Sequence, residues 1–162
     1  IIDIGSRSTS MVFAEGAGLK YVAQTDAAGA TITQSLANSL HVSPLRAEDL
    51  KRERGIVGTG PNYELSTIML PFIDGILSEV KKALYNYQTQ FPKSAKTERV
   101  ILSGGSANLA GIEKYVQQQL GVPVVKAAPF FRFAYPSALE PVAGELGPSF
   151  SVAFGLVLKE FV

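Results

Sequence analysis

The chain has 162 residues, with 15 Lys plus Arg against 14 Asp plus Glu, a single His, no Cys, and 46% hydrophobic residues. That composition fits one globular domain, or two small lobes, with a real core, and the near-zero net charge argues against a nucleic-acid-binding surface. The lack of Cys excludes disulfides and thiolate metal sites, and His41 alone builds no multi-histidine centre.

In chain order, Ile1–Ile4 is a short apolar run. Ser8–Ala14 and Leu19–Thr25 are strand-like, and the intervening Glu15-Gly16-Ala17-Gly18 predicts a hairpin turn. Ile32, Leu36 and Leu40 share one face of a helix. His41 is expected at its end as a capping charge. Ser43-Pro44 reads as an N-cap followed by Pro at the first helical position, and Gly55 as the far end of that second helix. Gly55 to Pro61 is read as a loop. Leu65, Met69, Phe72, Ile76, Val80, Leu84 and Tyr87 predict a long amphipathic helix over Tyr63–Gln90, with Pro71 either a kink or the true start.

Arg99–Leu102 is a predicted strand, followed by the small-residue junction Ser103-Gly104-Gly105-Ser106. Leu109, Ile112, Val116 and Leu120 predict a helix closed by Gly121, and Val122–Val125 a further strand. Ala127–Pro148 reads as irregular chain, with Phe130, Phe131, Phe133 and Tyr135 as a packed loop, and Phe150–Phe161 as a buried terminal helix. No run approaches about 18 unbroken apolar residues, so no membrane span is expected, and no signal-peptide layout opens the chain. A cytoplasmic or peripheral protein is expected. The sequence opens at Ile1, inside a strand-like run and without Met, which is the expectation for a piece of a longer protein. This order predicts an α/β layered unit with an antiparallel start and a partly parallel sheet.

Three stretches could carry chemistry. In Asp3-Ile4-Gly5-Ser6-Arg7-Ser8-Thr9 an acid at a strand end precedes a tight turn. Gly5 lets backbone approach a phosphate, and the turn amides with the hydroxyls of Ser6, Ser8 and Thr9 can cradle an anion. Asp3 would then face a magnesium ion through water. A plain polar hairpin is the other meaning of the same residues. Gly104 and Gly105 at a strand–helix junction let a flat ligand, or another stretch of backbone, lie against the main chain. A tight connecting turn would use the same residues. Glu48 and Lys51, at i and i+3, can bridge each other, grip a ribose hydroxyl or line a solvated face.

Together, in this order, the three stretches resemble the second half of the actin-like ATPase superfamily. In that superfamily a phosphate hairpin of Asp-x-Gly type opens the second domain, and a Gly-Gly adenosine loop comes later. Asp3-Ile4-Gly5 is similar to the hairpin, Ser103-Gly104-Gly105-Ser106 to the adenosine loop, and Glu48-x-x-Lys51 to the ribose-gripping helix. Ser6-Arg7-Ser8-Thr9 stands where other members carry Gly-Gly-Gly-Thr, which resembles the PilM family of type IV pilus assembly.

The resemblance implies a ribonuclease-H-like lobe, a mixed sheet covered by helices, with residues 30–60 in a small helical subdomain and the first lobe outside this chain. It implies ATP and Mg2+ as ligands. Gly5, Ser6, Ser8 and Thr9 would meet phosphates, Asp3 the hydrated metal, Glu48 and Lys51 the ribose, and Gly104, Gly105 and Ser106 the adenosine. The implied role is a cytoplasmic nucleotide-binding scaffold, peripheral to the inner membrane. Its implied partner is the cytoplasmic tail of PilN, bound through the missing lobe, and this lobe alone is expected to hydrolyse ATP weakly at most. An isolated lobe is also expected to self-associate. A cell-division filament protein of FtsA type and a sugar-kinase-type phosphotransferase are the alternatives.

Overall fold

The structure, a computed structural model, describes residues 1–57 and 63–161, with Tyr63 described by its backbone only. The part of the expected Gly55–Pro61 loop at positions 58–61 lies outside the described residues. Among the described residues five strands form one sheet: β1 Ile2–Ile4, β2 Thr9–Glu15, β3 Gly18–Thr25, β4 Val100–Ser103 and β5 Val124–Lys126. Their order is β3-β2-β1-β4-β5. The β1–β2–β3 meander is antiparallel, whereas β1–β4 and β4–β5 pair in parallel. The mixed sheet follows from connection length, since two short turns join the first three strands and helices separate the rest.

The helices are α1 Gly29–Leu40, α2 Pro44–Arg54, α3 Tyr63–Gln90, α4 Ile112–Leu120 and α5 Glu140–Lys159. One face of the sheet presents Ile2, Ile4, Met11, Val100 and Leu102 to a core completed by Ile32 and Leu36 of α1, a ladder on α3, and Ile112 and Val116 of α4. Pro71 lies inside α3. A proline there costs about 3 kcal/mol, whereas burying Met69, Ile73, Ile76, Leu77 and Val80 contributes about 1.5–3 kcal/mol each. Packing wins and the helix runs through. α2 begins as read, with Ser43 Oγ accepting from the Arg46 amide and Pro44 at the first position. His41 ends α1 through its backbone: it takes the left-handed conformation, φ 53°, and its amide donates to the Ala37 carbonyl.

The opposite face carries Asp3, Ile101 and Ser103, and α5 packs against its β4 end. Three expectations are corrected here. The stretch before Pro148 is not all irregular, because α5 starts at Glu140; Pro141 occupies its first turn, where an amide hydrogen would be unused. The terminal helix is not buried: Phe150 is 50% and Leu156 64% exposed, and among its residues Gly147 and Pro148 are the buried ones. In the aromatic loop, Phe130 and Phe133 do pack on Phe154, but Phe131 stands 90% exposed. Although it holds no unbroken apolar run of that length, Ser137–Lys159 contains an 18-residue window of mean hydropathy 1.3, long and apolar enough by length and composition alone to cross a membrane. Its apolar residues are interrupted by Pro, Gly and Ser, which break a run without lowering the average much.

Candidate functional site

The loop between β1 and β2 turns tightly, the Gly5 amide donating to the Ser8 carbonyl at 3.0 Å. It is fixed to the start of α1 by two further bonds, Gly29 N to Gly5 O and Ala30 N to Ser6 O, both 2.9 Å. Beside it, β4 runs into a short 3-10 turn over Gly105–Asn108. α2 closes a third side. Between them lies a cavity of about 870 Å³, and Gly5, Ser6, Glu48, Lys51, Gly105 and Ser106 are among its lining residues. The three stretches singled out in the sequence therefore meet around one space.

Their members are not equivalent. Thr9 does not reach the cavity: it is fully buried, and its hydroxyl donates to Ala27 O at 2.7 Å, tying the hairpin to the segment before α1. Ser8 is half-buried and does not line the cavity either. Gly104 holds φ +84°, and a Cβ on it would stand 2.5 Å from the Ile4 carbonyl, so only glycine lets β4 turn against β1. Gly105 has open space where a Cβ would go. Of the pair, Gly105 faces the cavity and Gly104 builds the turn.

Lys51 is buried, unlike a residue of a solvated face, and its ammonium lies 2.6 Å from Glu48 Oε2. It donates to the Thr33 hydroxyl at 2.8 Å and to the Gly29 carbonyl at 3.2 Å. Glu48 also accepts from Thr33 Oγ1 at 2.5 Å and from Arg52 Nε at 2.9 Å. Partial burial alone would raise the Glu48 carboxyl; the hydrogen bonds from Lys51, Thr33 and Arg52 outweigh it and hold the pKa at about 2. The cavity thus has a fixed, ionised carboxylate on its α2 side.

Two residues not marked as site residues from the sequence matter here. Gly29 sits where all three stretches converge, with Ser106 Oγ, Gly5 O and Lys51 Nζ within 2.7–3.6 Å of where its Cβ would be. Thr33 links Lys51 to Glu48. A polar residue beside Ile32 on the inward side of α1 was the available signal.

Asp3 lies behind the hairpin. Its Oδ2 accepts from Ser103 Oγ at 2.8 Å, and Oδ1 lies 4.0 Å from where a Cβ on Gly5 would be. Among the described residues no group of three or more His, Asp or Glu side chains could hold a metal ion. Asp3 is not among the residues that line the cavity, and a lone carboxylate beside the hairpin fits magnesium only where the ion keeps its waters and takes its other ligands from phosphate.

A five-stranded mixed sheet with helices around a cleft of this kind has the actin-like fold. Its solved relatives include the PilM–PilN type IV pilus biogenesis complex (TM-score 0.82, 26% identity, 98% of this chain and 44% of that one). The ethanolamine utilization protein EutJ from Carboxydothermus hydrogenoformans is also similar (0.66, 20%, 94% and 47%). So is MreB5 of Spiroplasma citri bound to AMPPNP (0.65, 14%, 99% and 54%). The family model of type IV pilus assembly protein PilM matches residues 1–161, and the chain belongs to that family. It spans about half, or less, of each of these relatives.

Proposed function

We propose that this chain is the second lobe of a two-lobed, nucleotide-binding scaffold of type IV pilus assembly, and that its cavity receives an adenine nucleotide with Mg2+. The observation that carries this is the convergence of the Gly5–Ser6 loop, the Gly105–Ser106 turn and the Glu48–Lys51 pair on one 870 Å³ space. In this reading the Gly5 and Ser6 loop meets phosphates, with Ser8 and Thr9 supporting it from behind. Asp3 meets the hydrated metal. Glu48 takes a ribose hydroxyl with Lys51 holding it, and Gly105 and Ser106 lie along the adenosine with Gly104 shaping their turn. Asp3 contributes a negative charge that orients metal-bound water, and the metal when bound neutralises phosphate charge.

The AMPPNP in the MreB5 structure supports the class of ligand. The exposed Phe150, Val152, Leu156 and Val157 of α5 support a further lobe, because large apolar side chains gathered on one helix are the kind of surface a partner covers. The PilM–PilN complex supports PilN as the partner, through the other lobe, which would keep the protein cytoplasmic at the inner membrane. Hydrolysis needs the γ-phosphate clamped from several sides, so this lobe alone is expected to turn ATP over poorly. The test is calorimetric titration of the natural polypeptide with AMPPNP and Mg2+. Saturable heat that Gly105→Phe abolishes supports the reading, and absence of heat from the unaltered protein rejects it.

A further inference from the structure

We infer that Ser103 is a positioning residue for the metal–nucleotide site: its hydroxyl fixes the direction of the Asp3 carboxylate. This rests on the nucleotide reading above. The parallel ladder pairs Asp3 of β1 with Ser103 of β4, which sets the two side chains next to each other on the same face of the sheet. A slip of one residue would send Ser103 to the other face and end the contact.

The Ser103 hydroxyl has one proton and two oxygens within reach, Asp3 Oδ2 at 2.8 Å and Pro148 O at 3.3 Å. The Pro148 carbonyl already accepts from the Gly104 amide at 2.9 Å. The carboxylate is nearer, charged and the stronger acceptor, so the proton goes to Asp3. Ser103 is itself 3% exposed, which removes competing water. With Oδ2 held, the carboxylate cannot spin about its last bond, and Oδ1 stays on the Gly5 side. Magnesium and its waters demand near-octahedral directions, so a carboxylate that orients those waters gains from being fixed before the ion arrives.

The experiment is calorimetric titration of the natural polypeptide with AMPPNP, once with Mg2+ and once with EDTA. Ser103→Ala is expected to weaken binding with Mg2+ by on the order of tenfold and to leave the affinity in EDTA unchanged. Ser103→Thr, which keeps the hydroxyl, is expected to bind like the unaltered protein. Equal affinities of the Ala variant and the unaltered protein in Mg2+ would overturn the inference. So would an equal loss in both solutions, which marks a structural role only. If Ser103→Ala does not fold, Ser103→Cys, similar in shape but a weak donor, takes its place with the same expected result. No binding by the unaltered protein in either solution overturns the nucleotide reading itself, and is distinguishable from Mg2+-dependent binding that ignores Ser103.

Discussion

Gly29 and Ser106 approach so closely that a Cβ on the glycine would stand 2.7 Å from the serine Oγ. The start of α1 is thereby held against the turn after β4. In Gly29→Ala the serine can rotate away, but the Gly5 carbonyl at 3.2 Å is backbone and moves less easily. The variant is expected to lose about 1–3 kcal/mol of stability and to weaken AMPPNP binding through a displaced hairpin. Urea unfolding and calorimetry check this; wild-type values in both would show that the convergence is slack.

The two neighbouring glycines separate structure from binding. Gly104→Ala should destabilise strongly, because its Cβ meets β1 backbone at 2.5 Å and its φ is +84°. Gly105→Phe should melt like the unaltered protein, its side chain entering open space, and should block AMPPNP. Thermal melts and titrations of both variants test the split. The reverse pattern would exchange their roles.

Glu48 makes a pH prediction. Its folded pKa of about 2 lies below the ordinary 4.5, so its ionised form stabilises the fold above pH 4.5, and that contribution fades as pH falls toward 2. Glu48→Gln weakens the partnership of the buried Lys51 and should cost about 1–3 kcal/mol at neutral pH. It should also flatten the loss of stability between pH 4.5 and 2. An unchanged acid limb in unfolding curves would show that other carboxylates govern it.

Tyr115 of α4 acts at the other end of the scale. Burial, then its hydrogen bond to Asp74 of α3, then the charge of that carboxylate, raise its phenol to about 12 from 10.0. The neutral phenol therefore stabilises the fold below pH 10, and the contribution disappears as pH rises through 12. Tyr115→Phe is expected to cost about 1 kcal/mol near neutrality and to lose less between pH 10 and 12. Alkaline unfolding of the pair measures it.

The exposed side of α5 gives a fifth expectation. Val152, Leu156 and Val157 leave a bare apolar patch, so the 162-residue chain should self-associate as concentration rises. Leu156→Glu with Val157→Glu should reduce scattering without lowering the melting temperature. Scattering that ignores both changes would put the contact elsewhere.

The elements read most easily from the sequence are those specified locally. Ile32–Leu36–Leu40 and the α3 ladder repeat at helical spacing, and Ser43-Pro44 carries its own start signal. α5 was harder because Pro141 and Pro148 look like breakers. The first needs no amide partner, and the carbonyl of the second accepts from the Gly104 amide, a contact far along the chain. The site divides in the same way. Gly5, Glu48 and Gly105 stand in recognisable local patterns, whereas Gly29 is one small residue among alanines until the fold brings three elements to it. Thr9 looked like a ligand group because its burial is set by Ala27, eighteen positions on.

The Asp3–Ser103 pair also has a history in time. The two residues are 100 positions apart, and at about 5–20 residues per second a ribosome takes roughly 5–20 s to supply that interval. Until β4 arrives, the β1–β2–β3 meander keeps the β1 side open as a strand edge, the kind that pairs with the wrong neighbour. Closing so long a loop is a slow, late event. The cleft is therefore among the later parts of this lobe to assemble during synthesis, and a nascent chain stalled before Val100 would carry its hairpin and its α2 carboxylate with no cleft between them.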